Sequence, residues 1–344
     1  MSGGATTGTC AAAAAKAAAL RARGIPVPRF LDVPLPGEGR MSVELRSWGG
    51  LASRPWASVC KPRTEDPDAT REAVVVVSLE PAGNLSFHAG AGVGIVTRPG
   101  LQVPVGGPAI NPGPREQIAK ALSEVGTTRW AVTVSVLGGE DIARRTFNPR
   151  LGIVGGISIL GTTGTVRPWS TEAFLGSVEA HLSVVRSRGQ RTVVLVPGHM
   201  GEKAASRLLP GLECVEVGNA WGEILDRVRK HGFGEVVALG HPGKLAKIAQ
   251  GQWDTHSSQG SSVAEWSIRF LRRAMPSSKG LLAEGLGNPQ TMEGFLMALD
   301  PASRARASTF LASRVARRIS RRCGIQSRTL LVDLEGNLVG EGSS

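Results

Sequence analysis

The chain has 344 residues, a length that suits about two domains, and 41% of them are hydrophobic and 20% charged. It contains no tyrosine and only 4% aromatic residues, which argues against recognition of single-stranded nucleic acid on aromatic platforms. The net charge of +12 favours an anionic partner: nucleic acid, an anionic membrane surface, or a small molecule rich in carboxylates or phosphates.

The cysteines and the apolar runs narrow the class of protein further. The four cysteines are scattered without a C-x-x-C pair, so we expect neither a metal site nor a disulfide framework, and a reducing cytoplasm is the expected location. Lys16 interrupts the alanine-rich start, and no run approaches the roughly 18 apolar residues of a membrane helix. We therefore expect no signal peptide and no membrane partner.

The first half of the chain predicts an α+β domain. Thr6–Thr9 leads into an alanine-rich run that predicts a threonine-capped helix. Ala73–Leu79 and Trp130–Leu137 predict strands, and Arg115–Val125 predicts a helix between them. The Gly-rich stretch Gly152–Gly164 marks a linker, so we place this domain at residues 1–160.

The second half, residues 161–344, predicts an α/β Rossmann-like domain with a mostly parallel sheet. Strand-like runs at Thr192–Val196, Glu213–Val217 and Glu235–Leu239 alternate with helical segments, the order typical of a parallel sheet covered by helices. The end of the chain predicts a hairpin around a Gly-Asn turn. Before it, a basic stretch predicts an amphipathic helix with a solvated face. Its arginines are Arg304, Arg306, Arg314, Arg317, Arg318, Arg321 and Arg322.

The tetrapeptide Thr-Thr-Gly-Thr occurs twice, once at the start of the first helix and once near the domain boundary. Two distant copies suggest two walls of one polar site, because hydroxyls and a helix N-terminus both suit an anionic ligand. Two caps that bind no ligand are the alternative interpretation. The candidate substrate-binding residues are Thr6, Thr7, Gly8, Thr9, Thr162, Thr163, Gly164 and Thr165.

A second repeated pattern, Gly-His-x-Gly, follows two of the predicted strands and precedes two predicted helices. Such loops suit a nucleoside-bearing cofactor, either S-adenosylmethionine or a nicotinamide dinucleotide. Neither copy matches the G-x-G-x-x-G fingerprint, and glycines that merely shape βα turns are the alternative. The candidate cofactor-binding residues are Gly198, His199, Gly201, Gly240, His241 and Gly243.

Three residues are candidates for proton transfer. Asp254 lies two residues before His256, so in an extended segment both side chains point to one side and the carboxylate could orient a general base. A surface loop is the alternative. His88 precedes the glycine cluster Gly90–Gly94 and is equally consistent with a histidine that has no catalytic role.

The motifs together resemble those of the cobalt-precorrin-5B (C1)-methyltransferase family of cobalamin biosynthesis, and the likeness runs in order along nearly the whole chain. The matching segments are Thr6–Lys16, Val96–Leu101, Pro108–Pro112, Ala143–Gly152, Gly155–Gly164, Pro168–Ser170, His241–Lys244 and Thr255–Ser257. The resemblance implies S-adenosylmethionine-dependent methylation of ring carbon 1 of cobalt-precorrin-5B, which gives cobalt-precorrin-6A. It also implies an α+β domain for the substrate and a Rossmann-like domain for the cofactor.

The implied substrate is a carboxylate-rich tetrapyrrole, and an anionic ligand of this kind is attracted to a positively charged protein. Two rivals come from other classes: a Rossmann-type oxidoreductase using the Gly-His-x-Gly loops, and a basic nucleic-acid-binding protein suggested by charge alone. The sequence contains no recognisable nucleic-acid-binding motif to support the second alternative, so we expect no nucleic-acid partner. Homo-oligomerisation stays open.

Overall fold

The chain forms a mixed α/β structure with several sheets, divided into two compact units between Ala173 and Phe174. The sequence placed the boundary earlier, after residue 160. Loop Gly161–Val166 belongs to the N-terminal unit because Val166 N donates to Gly4 O at 2.7 Å. The computed structural model describes residues 4–63, 68–126, 128–166, 171–256, 263–274 and 291–344.

The N-terminal unit is built around an alanine-rich helix, α1 (Thr7–Ala22), that lies against the strands β4 (Arg54–Cys60) and β5 (Val74–Pro81). Every alanine between Ala11 and Ala19 is at most 2% exposed. Methyl side chains allow the helix to approach the sheet closely, so a run without large side chains becomes the centre of the core.

The main sheet of this unit has the strand order β3-β4-β5-β9-β6, antiparallel except where β6 pairs parallel with β9. The remaining strands form two-stranded pairs. The other helices are α2 (Pro112–Ser123) and α3 (Gly139–Ala143). The other strands are β1 (Phe30–Pro34), β2 (Arg40–Glu44), β3 (Ser47–Leu51), β6 (Ser86–Ala89), β7 (Gly92–Val93), β8 (Ile95–Val96), β9 (Trp130–Val136), β10 (Ile153–Val154) and β11 (Gly156–Ile157).

The C-terminal unit has one five-stranded sheet in the order β13-β12-β14-β15-β16, in which β13, β12, β14 and β15 run parallel and β16 is antiparallel. The strands are β12 (Thr192–Val196), β13 (Cys214–Glu216), β14 (Glu235–Gly240), β15 (Gln326–Val332) and β16 (Leu338–Ser343). The helices are α4 (Thr171–Ser187), α5 (His199–Leu208), α6 (Trp221–Lys230), α7 (Pro242–Gln250), α8 (Val263–Ala274), α9 (Met292–Met297) and α10 (Pro301–Cys323).

The central strands of this sheet are buried on both faces. In β12, Val193 and Leu195 belong to one apolar cluster, whereas Val194 and Val196 belong to a second cluster that includes Ala204 of α5. A strand that faces helices on both sides needs apolar residues at every position, which explains its uninterrupted valine and leucine run.

The arginine-rich stretch forms α10, as its amphipathic pattern predicted. Asp300 caps the helix by accepting a hydrogen bond from Ser303 N at 3.0 Å, and Gly324 ends it in a left-handed conformation (φ +69°). Leu311, Val315 and Ile319 form its buried stripe. Across the described ranges, neither α10 nor another helix is long and apolar enough to cross a bilayer.

Candidate active site

The two Gly-His-x-Gly loops lie side by side at the carboxyl edge of the C-terminal sheet. They follow β12 and β14, which are neighbours in the sheet. From β12 the chain crosses to β13 on one side and then to β14 on the other, so the strand order reverses between the two loops. A Cβ at Gly240 would lie 3.0 Å from Pro197 Cδ, so the loops are in contact. Open α/β sheets bind ligands at such a reversal.

Three of the four loop glycines are explained by packing inside the protein. A Cβ would lie 2.8 Å from Val196 at Gly201, 3.0 Å from Pro197 at Gly240, and 3.1 Å from the His241 ring at Gly243. Gly198 is different. Among the described residues, only Glu216 Oε1 would lie within reach of its Cβ, at 3.7 Å, which is an ordinary contact. Packing against the described residues therefore does not require a glycine at 198, and they leave its backbone open to a ligand.

Gly198 is also the N-cap of α5, and no side chain of the described residues caps that helix end. Its first-turn N–H groups are consequently potential donors to a ligand. Glu216, the last residue of β13, adds a carboxylate acceptor beside them. Sequence reasoning missed Glu216, although an acidic residue about 20 positions after a glycine loop is where dinucleotide-binding folds hold ribose hydroxyls.

The two loop histidines have different surroundings. The His199 side chain is exposed, and its Nδ1 lies 3.4 Å from Glu202 Oε2 of the next turn. His241 caps α7: its Nδ1 accepts a hydrogen bond from Gly243 N at 3.1 Å, and its Nε2 lies 3.8 Å from Glu293 Oε2. Burial lowers the pKa of His241, against the opposing effect of Glu293 and Asp333. The neutral imidazole is therefore favoured, with Nδ1 used by the helix.

The segment after α7 returns to the loop that follows β13. Thr255 N donates to Asn219 O at 3.0 Å, and both Thr255 Oγ1 and Lys244 Nζ donate to Asn219 Oδ1 at 3.2 Å. Asn219 thereby ties the start of α7 to this segment. Sequence reasoning missed both Asn219 and Lys244; the signal for Lys244 was its position directly after the second Gly-His-x-Gly loop.

Asp254 orients the backbone of His256. Its Oδ1 accepts a hydrogen bond from His256 N at 2.9 Å, an Asx-type turn in which the carboxylate binds the main chain two residues ahead. The sequence led us to expect this carboxylate to orient the imidazole. Asp254 pairs with Ala220 in an isolated antiparallel bridge, and Lys247 Nζ holds the segment by donating to His256 O.

In the N-terminal unit the two Thr-Thr-Gly-Thr loops contact each other. We call Thr6–Thr9 and Leu160–Thr165 the threonine clasp. Thr7 Oγ1 donates to Leu160 O at 3.1 Å and accepts from Leu160 N at 3.0 Å, and Thr9 Oγ1 donates to Gly164 O at 2.7 Å. These hydroxyls hold the two loops to each other.

The first turn of α1 is likewise satisfied inside the protein. Gly8 N donates to Leu160 O at 3.1 Å, and Thr9 N donates to the N-cap Thr6 Oγ1 at 3.2 Å. The helix end therefore does not offer these N–H groups to an anion, contrary to the sequence-based expectation. Thr162 and Thr163 are exposed and Thr165 is half-buried, so these three are the clasp threonines that a ligand can reach.

His88 lies on β6 of the N-terminal unit, where it is exposed and its Nε2 is 3.0 Å from Ser86 Oγ. His256 belongs to the C-terminal unit. The candidate proton-transfer residues thus come from both units of the chain.

Comparison with known proteins gives one consistent result. The profile of the CbiD family matches residues 1–168. The cobalt-precorrin-5B C(1)-methyltransferase of Syntrophotalea carbinolica is 42% identical over 99% of this chain and 97% of that protein. The protein of that name from Methanocaldococcus jannaschii is 33% identical over 98% and 95%. A crystal structure of a cobalamin biosynthesis protein from Archaeoglobus fulgidus is 28% identical and covers 73% of this chain and 80% of that one, with a TM-score of 0.39.

Proposed function

The chain belongs to the CbiD family, and from this membership we infer that it is a cobalt-precorrin-5B C(1)-methyltransferase of cobalamin biosynthesis. The observation that carries the inference is similarity along essentially the whole chain, 42% identity over 99% of its length, to a relative of that name. The substrate is then a macrocycle rimmed with carboxylates, which suits a chain of net charge +12.

The methyl donor in this proposal is S-adenosylmethionine, bound at the carboxyl edge of the C-terminal sheet in a Rossmann-like manner. The open backbone of Gly198 permits close approach, and the uncapped N-terminus of α5 suits the donor's carboxylate. Glu216 suits its ribose hydroxyls. These complementary groups lie within one small region of the unit, which supports the assignment.

The N-terminal unit, in the same proposal, binds the macrocycle. The hydroxyls of Thr162 and Thr163 are exposed, and they are the unit's candidates for contact with the substrate's carboxylates. The buried members of the clasp, Thr6, Thr7 and Thr9, position that loop through their hydrogen bonds.

A bound sulfonium donor would supply an electrophilic methyl group, which a ring carbon of the macrocycle would take in line while the neutral thioether leaves. The chain's own task is to hold both partners at near-attack distance and to exclude water. A residue that accepts a proton from the macrocycle completes the reaction, and His256, fixed by Asp254, and His88 are the candidates.

The direct test is anaerobic incubation of the protein with cobalt-precorrin-5B and S-adenosylmethionine labelled in its methyl group. We expect one label per macrocycle, at ring carbon 1, by mass spectrometry and NMR. Folded protein that leaves authentic substrate unlabelled contradicts the proposal. Calorimetry with a nicotinamide dinucleotide in place of the donor tests the oxidoreductase alternative.

Glu216→Gln tests the placement of the donor separately. Loss of a charged hydrogen-bond acceptor should weaken S-adenosylmethionine binding about tenfold or more by calorimetry. Glu223→Gln, at an exposed position on α6, is the control and should bind like the wild type. Equal affinities for the two variants would remove Glu216 from the donor site and leave the reaction itself untouched.

A further inference from the structure

Most of the protein's net charge is concentrated on two helices of the C-terminal unit. Helices α8 and α10 carry ten arginines and one glutamate, a net charge of +9 out of +12 for the chain. Neither helix contains lysine or aspartate. A guanidinium differs from an ammonium in presenting a planar fork that pairs with an oxyanion through two hydrogen bonds.

Some of these arginines have structural partners. Arg304 donates to Leu296 O at 2.9 Å and to Leu299 O at 3.1 Å, thereby capping α9. Arg322 pairs with Asp226 at 2.7 Å and lies 4.7 Å from the centroid of the Trp253 ring. Such contacts account for these two side chains without a ligand.

Four other arginines of α10, which we call the arginine stripe, pair with no carboxylate of the described ranges. They occupy positions i, i+3, i+4 and i+7, so they line one side of the helix over about 10 Å. Their members are Arg314, Arg317, Arg318 and Arg321.

Arg314 and Arg318 of the stripe are half-buried, and each has an N–H donor without an acceptor among the described residues. Arg314 lies 5.9 Å from the centroid of the Phe270 ring on α8, and Arg318 approaches Gly251 at the end of α7. The Nε atoms of both are buried and find no acceptor among the described residues. A buried donor without an acceptor is costly, and an oxyanion at this position would relieve that cost.

The positive charges of the stripe also act on one another. Burial, followed by repulsion from Arg318, Arg317 and Arg321, lowers the pKa of Arg314. The adjoining sequence offers little compensation: residues 257–262 contain no acidic residue and residues 275–290 contain only Glu284. Among the described residues, the stripe is therefore a concentration of positive charge without a carboxylate partner.

We propose that the arginine stripe makes the first contact with the carboxylates of the macrocyclic substrate, an encounter step that precedes the binding proposed for the N-terminal unit. The inference rests on the proposed function, which supplies a ligand carrying several carboxylates on one rim. Guanidinium forks on successive turns match such a ligand through bidentate pairs, and an uncompensated patch raises the rate of encounter with a polyanion.

The arginine stripe lies away from the proposed methyl-donor site. Arg318 lies at Gly251, the C-cap of α7, whereas His241 and the second Gly-His-x-Gly loop lie at its N-cap. A helix of nine residues is about 13 Å long. The stripe therefore raises kcat/KM for the macrocycle through binding and leaves kcat and the affinity for the methyl donor unchanged.

The test uses the full chain and the fluorescent octacarboxylate uroporphyrin as the probe. The exposed pair is changed in Arg317→Gln/Arg321→Gln, and a second variant replaces all four stripe arginines by lysine. In low salt we expect the first variant to bind the probe about tenfold more weakly, with a shallower salt dependence. The lysine variant, which keeps the charge and loses the forks, should fall between it and the wild type.

The matched control is Arg229→Gln/Lys230→Gln, which removes two exposed charges from α6 of the same unit. It should bind uroporphyrin like the wild type. Equal affinity of the stripe variant and this control would overturn the proposal and identify the stripe as solvated surface. Displacement of the probe by pyrophosphate at lower concentration than by citrate would also overturn it, because the site would then prefer phosphate.

Turnover distinguishes failure of this inference from failure of the proposed function. Wild-type protein that binds uroporphyrin through the stripe but labels no macrocycle contradicts the methyltransferase assignment alone. A stripe variant that methylates with unchanged KM for the macrocycle contradicts the stripe alone.

Discussion

The threonine clasp and the Gly-His-x-Gly loops are both repeated motifs at helix starts, and their polar groups are used in opposite ways. In the clasp, Thr7 and Thr9 bond to the facing loop, and the N–H groups of Gly8 and Thr9 in the first turn of α1 are occupied. At the glycine loops, α7 is capped by His241 but α5 is not capped by any described side chain. A repeated motif thus indicates a ligand site only where its donors remain unused after folding.

The largest expected effect is on the clasp. In Gly161→Ala the new Cβ would overlap Thr6 Oγ1 at a backbone φ of +149°, where L residues are strained. We expect the free energy of unfolding to fall by about 3 kcal/mol in urea denaturation. Gly113→Ala is the control, because its Cβ would lie 3.6 Å from Gly161 O, and its stability should change by less than about 0.5 kcal/mol. Equal stabilities would show that the two loops can separate freely.

A smaller effect is expected when one clasp hydroxyl is removed. Thr9→Val keeps the side-chain shape but removes one of the two donors to Gly164 O, the other being Thr6 N, and one acceptor of Gln117 Nε2. Loss of these buried hydrogen bonds should cost about 2 kcal/mol of unfolding free energy. Thr162→Val, at an exposed position of the other copy, should stay within about 0.5 kcal/mol of the wild type. A reversed order would contradict the structural role of Thr9.

At the glycine loops the expected change is in binding. Gly198→Val places methyl groups in the open space beside Glu216, and the extended backbone there (φ 163°) accepts any residue. Stability should change little, whereas affinity for S-adenosylmethionine should fall about tenfold, or 1.4 kcal/mol, by calorimetry. Gly83→Val, in open space of the N-terminal unit, is the control for both measurements. Unchanged donor affinity would leave Gly198 as a turn residue.

The smallest effect concerns His241 and pH. Because burial lowers its pKa in the folded state, the unfolded chain binds the proton more readily between that lowered value and the ordinary value near 6.5. The histidine's contribution to stability is complete above this window and is lost as the pH falls through it. His241→Asn retains an N-cap and should flatten the stability profile below pH 6.5 in thermal unfolding. An unchanged slope would show that His241 does not contribute to the pH dependence.

The parts of the fold that sequence alone could predict are those set by local pattern. The valine and leucine run of Thr192–Val196 is a strand because both of its faces are buried, and the Gly-Asn turn joins β15 to β16. The two compact units divide after Ala173, later than the predicted boundary, because loop Gly161–Val166 finds its partners near the start of the chain. A local sequence pattern does not predict hydrogen bonds between residues that lie so far apart in the chain.

The candidate site was predictable to a similar degree. The loops at Gly198 and Gly240 follow from glycines placed after strands, but their contact depends on a strand order that a single sequence does not encode. Glu216 can be recognised as a candidate binding residue only once β13 is known to lie beside β12. The hydrogen bond that Asp254 accepts from the backbone of His256 was not foreseen, because residue spacing does not distinguish a main-chain partner from a side-chain partner.

The alanine helix α1 has a consequence for the order of folding. Alanine-rich segments of about this length form helix in about a microsecond, and α1 leaves the ribosome long before its clasp partners. Thr9 and Gly164 are 155 residues apart, so at about 5–20 residues per second the partner loop follows roughly 10–30 s later. During that interval α1 lacks part of the core that buries it in the folded protein. The clasp is therefore a late, non-local closure of the N-terminal unit.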